Sequence, residues 1–115
     1  MIAHLVLYEL RPDISDTDRA NFLAALEQAI TTIPSVRGVR FGRRHTIGAG
    51  YEALAVPAFS FFALFEFDDV AGLQGYLVHA SHVALGQLFW SCCVRTIVFD
   101  YDLAGDDPMA SLRTW

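Results

Sequence analysis

Residues 58–67, with the sequence AFSFFALFEF, form the most apolar stretch of the chain and decide its fold. In a β-strand, successive side chains point to opposite faces of the sheet. One face of this strand then carries five apolar side chains, which are Phe59, Phe61, Ala63, Phe65 and Phe67. The opposite face carries Phe62 and Leu64, so a second layer has to cover it. We therefore predict a strand with packing partners on both sides.

Strands and helices are predicted on either side of this stretch. Alternating side-chain character predicts further strands at residues 2–10, 36–45 and 94–103, and residues 46–57 form the longest loop. Apolar residues at helical spacing predict a first helix, which begins after Ser15 with a capping-box-like pattern and ends before Pro34. A second helical region begins after Asp69 and breaks near His79.

The order strand, helix, strand, strand, helix, strand is the ferredoxin-like βαββαβ pattern of the α+β class. It gives one four-stranded antiparallel sheet with both helices on the same face. The other face is apolar too, and 54% of the 115 residues are hydrophobic. Burial of that face at roughly 25 cal/mol per Å² favours packing against a second sheet. We predict a homodimer that closes into a dimeric α/β barrel.

Composition indicates one domain and excludes several classes of partner. The net charge of -5 provides no broad basic surface for nucleic acid. No apolar run approaches the roughly 18 residues of a membrane span, and MIAHLVLYELRPD at the start has neither a basic segment nor a small-residue cleavage site. Cys92 and Cys93 are adjacent, unlike the spaced cysteines of a disulfide framework. We predict a cytoplasmic protein with reduced cysteines that binds neither nucleic acid nor membranes.

Candidate catalytic groups are concentrated in residues 75–89, which read GYLVHASHVALGQLF. A histidine can accept and return a proton near neutral pH, and a tyrosine hydroxyl can donate to a developing oxyanion. In the mechanism that these groups favour, His82 removes a proton alpha to a carbonyl and Tyr76 supports the oxyanion. The alternative is structural: a histidine at a helix break that bonds a backbone carbonyl, beside an ordinary half-buried tyrosine.

His79 lies three residues before His82, a spacing that can place two metal ligands on one face. No nearby Asp, Glu or Cys supplies an obvious third ligand, so we predict no metal site and no cofactor. His79 is expected instead to cap the preceding helix by donating to its free carbonyls.

The remaining candidates are binding residues. His4 shares a strand face with Val6 and Tyr8, and we expect it to line a pocket rather than to catalyse. A cluster of four arginines, Arg37, Arg40, Arg43 and Arg44, can bind carboxylates or phosphates, but a solvated strand edge or salt bridges to a partner subunit is the favoured interpretation.

Several segments together resemble the Dabb family of stress-responsive dimeric α/β barrel domains. They are HLVLYEL with His4, IPSVRGVRFGRRH, FEFDDVAGLQGYLVHASHVALGQLF and VFDYDL, in the order and spacing of the family. The resemblance covers residues 1–103 and leaves residues 104–115 as a C-terminal extension. It implies the dimeric ferredoxin-like fold predicted above.

The resemblance also implies a chemistry, because plant polyketide cyclases of this family use a tyrosine and a histidine that match Tyr76 and His82, with His4 near the pocket. Two residues differ from the pattern: Ala80 stands where proline is common, and Phe61 where the cyclases have a histidine. The predicted substrate is a hydrophobic carbonyl or aromatic compound, turned over by cyclase- or lyase-like chemistry. Four residues are expected to contact it: His4, Phe61, Phe65 and His79. A non-catalytic dimeric ligand-binding protein and a cofactor-free monooxygenase are the alternatives.

Overall fold

The computed structural model describes residues 1–114, so Trp115, the last residue of the predicted extension, lies outside it. The described chain contains four strands and four α-helices, with a short 3-10 helix at Gly50–Leu54 in the long loop. In chain order they are β1 (Ile2–Leu10), α1 (Asp16–Thr32), β2 (Gly38–Arg43), β3 (Phe61–Phe67), α2 (Val70–Val78), α3 (Ala80–Cys92), β4 (Cys93–Asp102) and α4 (Ala110–Arg113).

The strands form one antiparallel sheet in the order β2-β3-β1-β4. This arrangement confirms the predicted ferredoxin-like fold. In the sheet, His4 lies opposite Phe65 of β3 on one side and opposite Asp100 of β4 on the other. The register therefore brings together three residues that are far apart in the sequence.

Both long helical regions begin at side-chain caps that the sequence predicts. The Ser15 hydroxyl accepts a hydrogen bond from the Asp18 amide at 3.1 Å, at the start of α1. The Asp69 carboxylate accepts from the Gly72 amide at 2.8 Å, at the start of α2. Each cap satisfies an amide that has no partner within its helix.

The second helical region breaks at His79, as predicted, but the His79 side chain acts on the opposite helix from the one expected. Its Nδ1 accepts a hydrogen bond from the Ser81 amide at 3.1 Å and so caps the start of α3. His79 is the C-cap of α2, as predicted, but through its backbone amide, which donates to the Tyr76 carbonyl at 3.2 Å. The side chain does not make the expected donation, because its Nδ1 accepts a hydrogen bond instead.

The core lies between the helices and one face of the sheet. Sheet residues in it include Val6, Tyr8, Ala63, Phe65 and Phe67, all of which are buried. On the other face, which carries Leu5, Leu7, Phe62 and Leu64, β4 leaves Phe99 48% exposed and Tyr101 52% exposed. The predicted apolar second face is thus present and open to solvent in the single chain.

Within residues 1–114, no helix combines the length and apolarity needed to cross a membrane. In the described part of the extension, residues 104–114, the one regular element is the four-residue helix α4, and Met109 and Leu112 are exposed.

Candidate active site

A cavity of about 300 Å³ lies between α3 and the helix-facing side of the sheet. Its lining includes four of the residues expected from the sequence to form the site, which are His4, Phe65, Tyr76 and His82. They come from β1, β3, α2 and α3, so the site depends on the whole βαββαβ arrangement.

The other two expected residues lie elsewhere. Phe61 lines a second, larger groove of about 910 Å³ beside α1, and its ring stacks on that of Tyr8 at a centroid distance of 5.5 Å. His79 is not among the residues that line either cavity, both of which are formed within residues 1–114. Its side chain is engaged with the Ser81 amide instead.

Tyr76 lies in the middle of the site and is only 2% exposed. Its ring centroid is 4.5 Å from that of His82 and 5.7 Å from that of His4, so both imidazole rings lie beside the tyrosine ring. Burial raises the pKa of the Tyr76 hydroxyl well above its ordinary value. The hydroxyl therefore stays protonated across the physiological range and is available as a hydrogen-bond donor.

His82 is held in one orientation by the chain just before the helix break. Its Nδ1 lies 3.0 Å from the carbonyl oxygen of Leu77. Because a carbonyl can only accept, Nδ1 carries the proton and Nε2 retains its lone pair. Burial lowers the pKa of His82; the Leu77 hydrogen bond partly opposes this, and the nearby His4 lowers the pKa further. At neutral pH His82 is thus an uncharged imidazole with a basic Nε2.

Asp100 is a site residue that the sequence analysis missed. Its Oδ1 lies 2.6 Å from Nδ1 of His4, and His4 itself is 4% exposed. The carboxylate accepts a hydrogen bond from Nδ1 of His4. A signal was available: alternation in the last strand places Asp100 in the same row as Thr96 and Val98, which both line the cavity.

Other groups near the site are unsuited to nucleophilic or metal chemistry. Burial raises the pKa of Cys93, which lines the cavity, to about 11, so its thiol is protonated at neutral pH. Residues 1–114 hold no group of three potential metal ligands. Of the arginine cluster, Arg37 pairs with Asp68 at 2.9 Å and Arg43 lies over the Phe61 ring, outside this cavity.

The family profile described as the Stress responsive A/B Barrel Domain, Dabb, matches residues 2–103. This chain belongs to the Dabb family. The match includes all four strands and the three helices α1 to α3, and it ends where the C-terminal extension begins.

Known relatives of this Dabb protein include enzymes. Olivetolic acid cyclase of Cannabis sativa is 22% identical over 100 residues, covering 87% of this chain and 94% of the cyclase. The structure of a hydroxynitrile lyase from Passiflora edulis has a TM-score of 0.72 at 15% identity, covering 93% of this chain and 96% of that one.

A dimeric ferredoxin-like protein of unknown function from Thermobifida fusca is also similar. Its structure has a TM-score of 0.68 at 19% identity and covers 89% of this chain and 90% of that one. At these identities the structural likenesses show the fold.

Proposed function

We propose that this Dabb protein is an enzyme that performs cofactor-independent acid/base chemistry on a hydrophobic carbonyl or aromatic compound. The observation that carries the proposal is the cavity into which Tyr76 and His82 both extend, with their rings 4.5 Å apart. A cyclase and a hydroxynitrile lyase among the relatives support cyclase- or lyase-like chemistry.

In the proposed reaction, Nε2 of His82 removes a proton from the carbon next to the substrate carbonyl. The electron pair of the broken C–H bond forms an enolate, whose negative charge develops on the oxygen. The Tyr76 hydroxyl donates a hydrogen bond to that oxygen, which is where a fixed donor lowers the barrier. The enolate carbon then attacks an electrophilic carbonyl or takes the proton back from the His82 imidazolium.

His4 and Asp100 supply a second imidazole in a fixed orientation. The 2.6 Å contact with Asp100 fixes the ring of His4, whose centroid is 5.7 Å from that of Tyr76. We assign His4 a binding role beside Tyr76, with Asp100 as the residue that positions it.

The working unit proposed here is a cytoplasmic homodimer. On the outer face of the sheet, the exposed Phe99 extends the apolar row of Leu64 and Leu5, and the exposed Tyr101 lies opposite Ala3. A second copy of this face is a matching partner, and the similar Thermobifida fusca protein is described as dimeric.

Proton abstraction can be tested before the physiological substrate is known. Acetophenone, a small aromatic ketone, carries protons alpha to its carbonyl, and their exchange in D₂O is measured by NMR. We expect the wild-type protein to accelerate this exchange and His82→Ala to slow it by about 10²- to 10⁴-fold. His45→Ala is the matched control, because His45 is exposed and does not line the cavity.

The competing function is non-catalytic ligand binding, and two measurements on the wild-type protein distinguish it from catalysis. Calorimetry measures whether acetophenone binds, while NMR measures whether its protons exchange. Binding together with exchange no faster than in buffer would contradict the proposed enzyme and favour a ligand-binding protein.

A further inference from the structure

Four aromatic side chains stand between the cavity and the larger groove on the same face of the sheet. They form what we call the aromatic wall, consisting of Tyr8, Phe22, Phe61 and Phe89. Phe89 lines the cavity of about 300 Å³, whereas the other three line the groove of about 910 Å³. The wall therefore has one member on the side of the candidate active site and three on the other.

The members of the wall interlock through their ring edges. The Phe89 centroid lies 4.9 Å from that of Phe22 and 5.2 Å from that of Tyr8, both in edge-to-face geometry. Tyr8 in turn stacks on Phe61. Edge-to-face and stacked contacts at these distances are attractive and fix the rings relative to one another. A ligand in the cavity thus meets a packed surface at Phe89.

Phe89 is the member through which the wall can be opened. Tyr8 and Phe22 are 6% and 3% exposed and belong to the core, so their removal would disturb the fold itself. Phe89 lies at the edge of the core on α3, where it is partly buried and faces the cavity. Removal of its ring would join the two spaces without removing a central core residue.

We propose that Phe89 determines the maximum length of the substrate by closing the cavity at the aromatic wall. This size limit rests on the proposed function, and it narrows the substrate class to compact aromatic or apolar carbonyl compounds without a long alkyl chain. A volume of about 300 Å³ is at the lower end of the range for small-molecule sites, which agrees with a compact ligand. The lining of the groove beyond the wall includes Leu23, Leu26 and Ile30 together with charged side chains, so an alkyl chain that passed the wall would contact apolar side chains there.

The test measures binding and does not depend on turnover. The probes are three phenyl ketones of increasing alkyl length: acetophenone, butyrophenone and octanophenone. For the wild type we expect calorimetric affinity to fall at the longest ketone. For Phe89→Ala we expect octanophenone to bind at least about tenfold more tightly than it binds the wild type, while acetophenone changes by less than about threefold.

Two further variants keep the test decisive. Phe41→Ala removes a phenylalanine side chain that lines the groove and not the cavity. We expect its affinity to depend on the alkyl length of the ketone as that of the wild type does. Phe89→Leu is the conservative variant, used if Phe89→Ala does not fold, and should shift the preference in the same direction to a smaller extent.

Unchanged dependence of affinity on chain length in folded Phe89 variants would overturn the assignment, as would tight binding of octanophenone to the wild type. Neither result depends on whether His82 catalyses proton exchange. A failure of the size limit is therefore distinguishable from a failure of the proposed chemistry.

Discussion

His82 determines the pH range in which the proposed chemistry operates, because only its neutral form can act as a base. Burial places its folded-state pKa below the ordinary value of 6.5. We therefore expect the rate of ketone proton exchange to fall as the pH is lowered, with the midpoint of the decline below pH 6.5. Titration of the His82 ring by NMR should give a midpoint below 6.5, and a midpoint at or above that value would contradict the assignment.

The same shift affects stability with a definite sign. Between the unfolded pKa near 6.5 and the lower folded pKa, the unfolded chain binds a proton at His82 that the folded chain does not. This group therefore makes the free energy of unfolding fall as the pH is lowered through that window. His82→Gln, whose side chain does not titrate, should reduce the slope of the free energy of unfolding against pH in this window.

Asp100 provides a second prediction at the scale of single residues. Asp100→Asn keeps the shape of the side chain but removes the charge that holds Nδ1 of His4. A hydrogen bond to a charged group contributes about 1.5–3 kcal/mol, so we expect ketone affinity or exchange rate to fall by roughly 10- to 150-fold. Asp102→Asn on the same strand is the control. Equal behaviour of the two variants would show that Asp100 does not position His4.

The sequence indicated some site residues better than others, for physical reasons. Tyr76 and His82 are six positions apart, on either side of the break between α2 and α3, so local spacing and family motifs were enough to select them. Asp100 is 96 positions from His4, and only the β1–β4 register joins them. The role of Phe89 depends on ring contacts across three elements, which no local pattern contains.

At the scale of elements, the break between α2 and α3 is what directs His82 towards Tyr76. Capping residues predicted where the helices begin, because these signals are local. Alternation located the strands but not their ends: β3 begins at Phe61 rather than at residue 58, which leaves Phe59 outside it, and β2 spans Gly38–Arg43 rather than residues 36–45. The direction of the His79 side chain was not predictable in the same way. A histidine nitrogen can donate or accept, and only the position of the Ser81 amide decides which.

His79 should therefore behave as a cap and not as a catalyst. Loss of the hydrogen bond to the Ser81 amide in His79→Ala should lower the free energy of unfolding by about 0.5–2 kcal/mol, measured by urea denaturation. His79→Asn, whose side-chain oxygen can accept the same bond, should lose less. Loss of proton exchange in His79→Asn with unchanged stability would instead indicate a direct role in the site.

For the whole molecule, the outer sheet face is the feature that the single chain leaves unsatisfied. A charge introduced at the half-exposed Phe99 by Phe99→Glu would be unpaired in a sheet-to-sheet interface. We expect it to weaken association by at least about tenfold, roughly 1.4 kcal/mol, and to shift the protein from dimer to monomer in sedimentation experiments at micromolar concentration. Val78→Glu, at an exposed position at the end of α2, is the control and should remain dimeric. A monomeric wild type would contradict the proposed dimer.

The most direct test of the central claim compares ketone proton exchange in D₂O among the wild type, Tyr76→Phe, His82→Ala and the double variant. The effects of removing a base and an oxyanion donor that act on one transition state are not additive, because loss of either group leaves little for the other to contribute to the rate. We predict that the exchange rate falls by about 10²- to 10³-fold in Tyr76→Phe and by a similar or larger factor in His82→Ala. The rate of the double variant should lie within about threefold of the rate of the slower single variant. Exchange at the wild-type rate in both folded single variants would contradict the claim that this pair forms the active site.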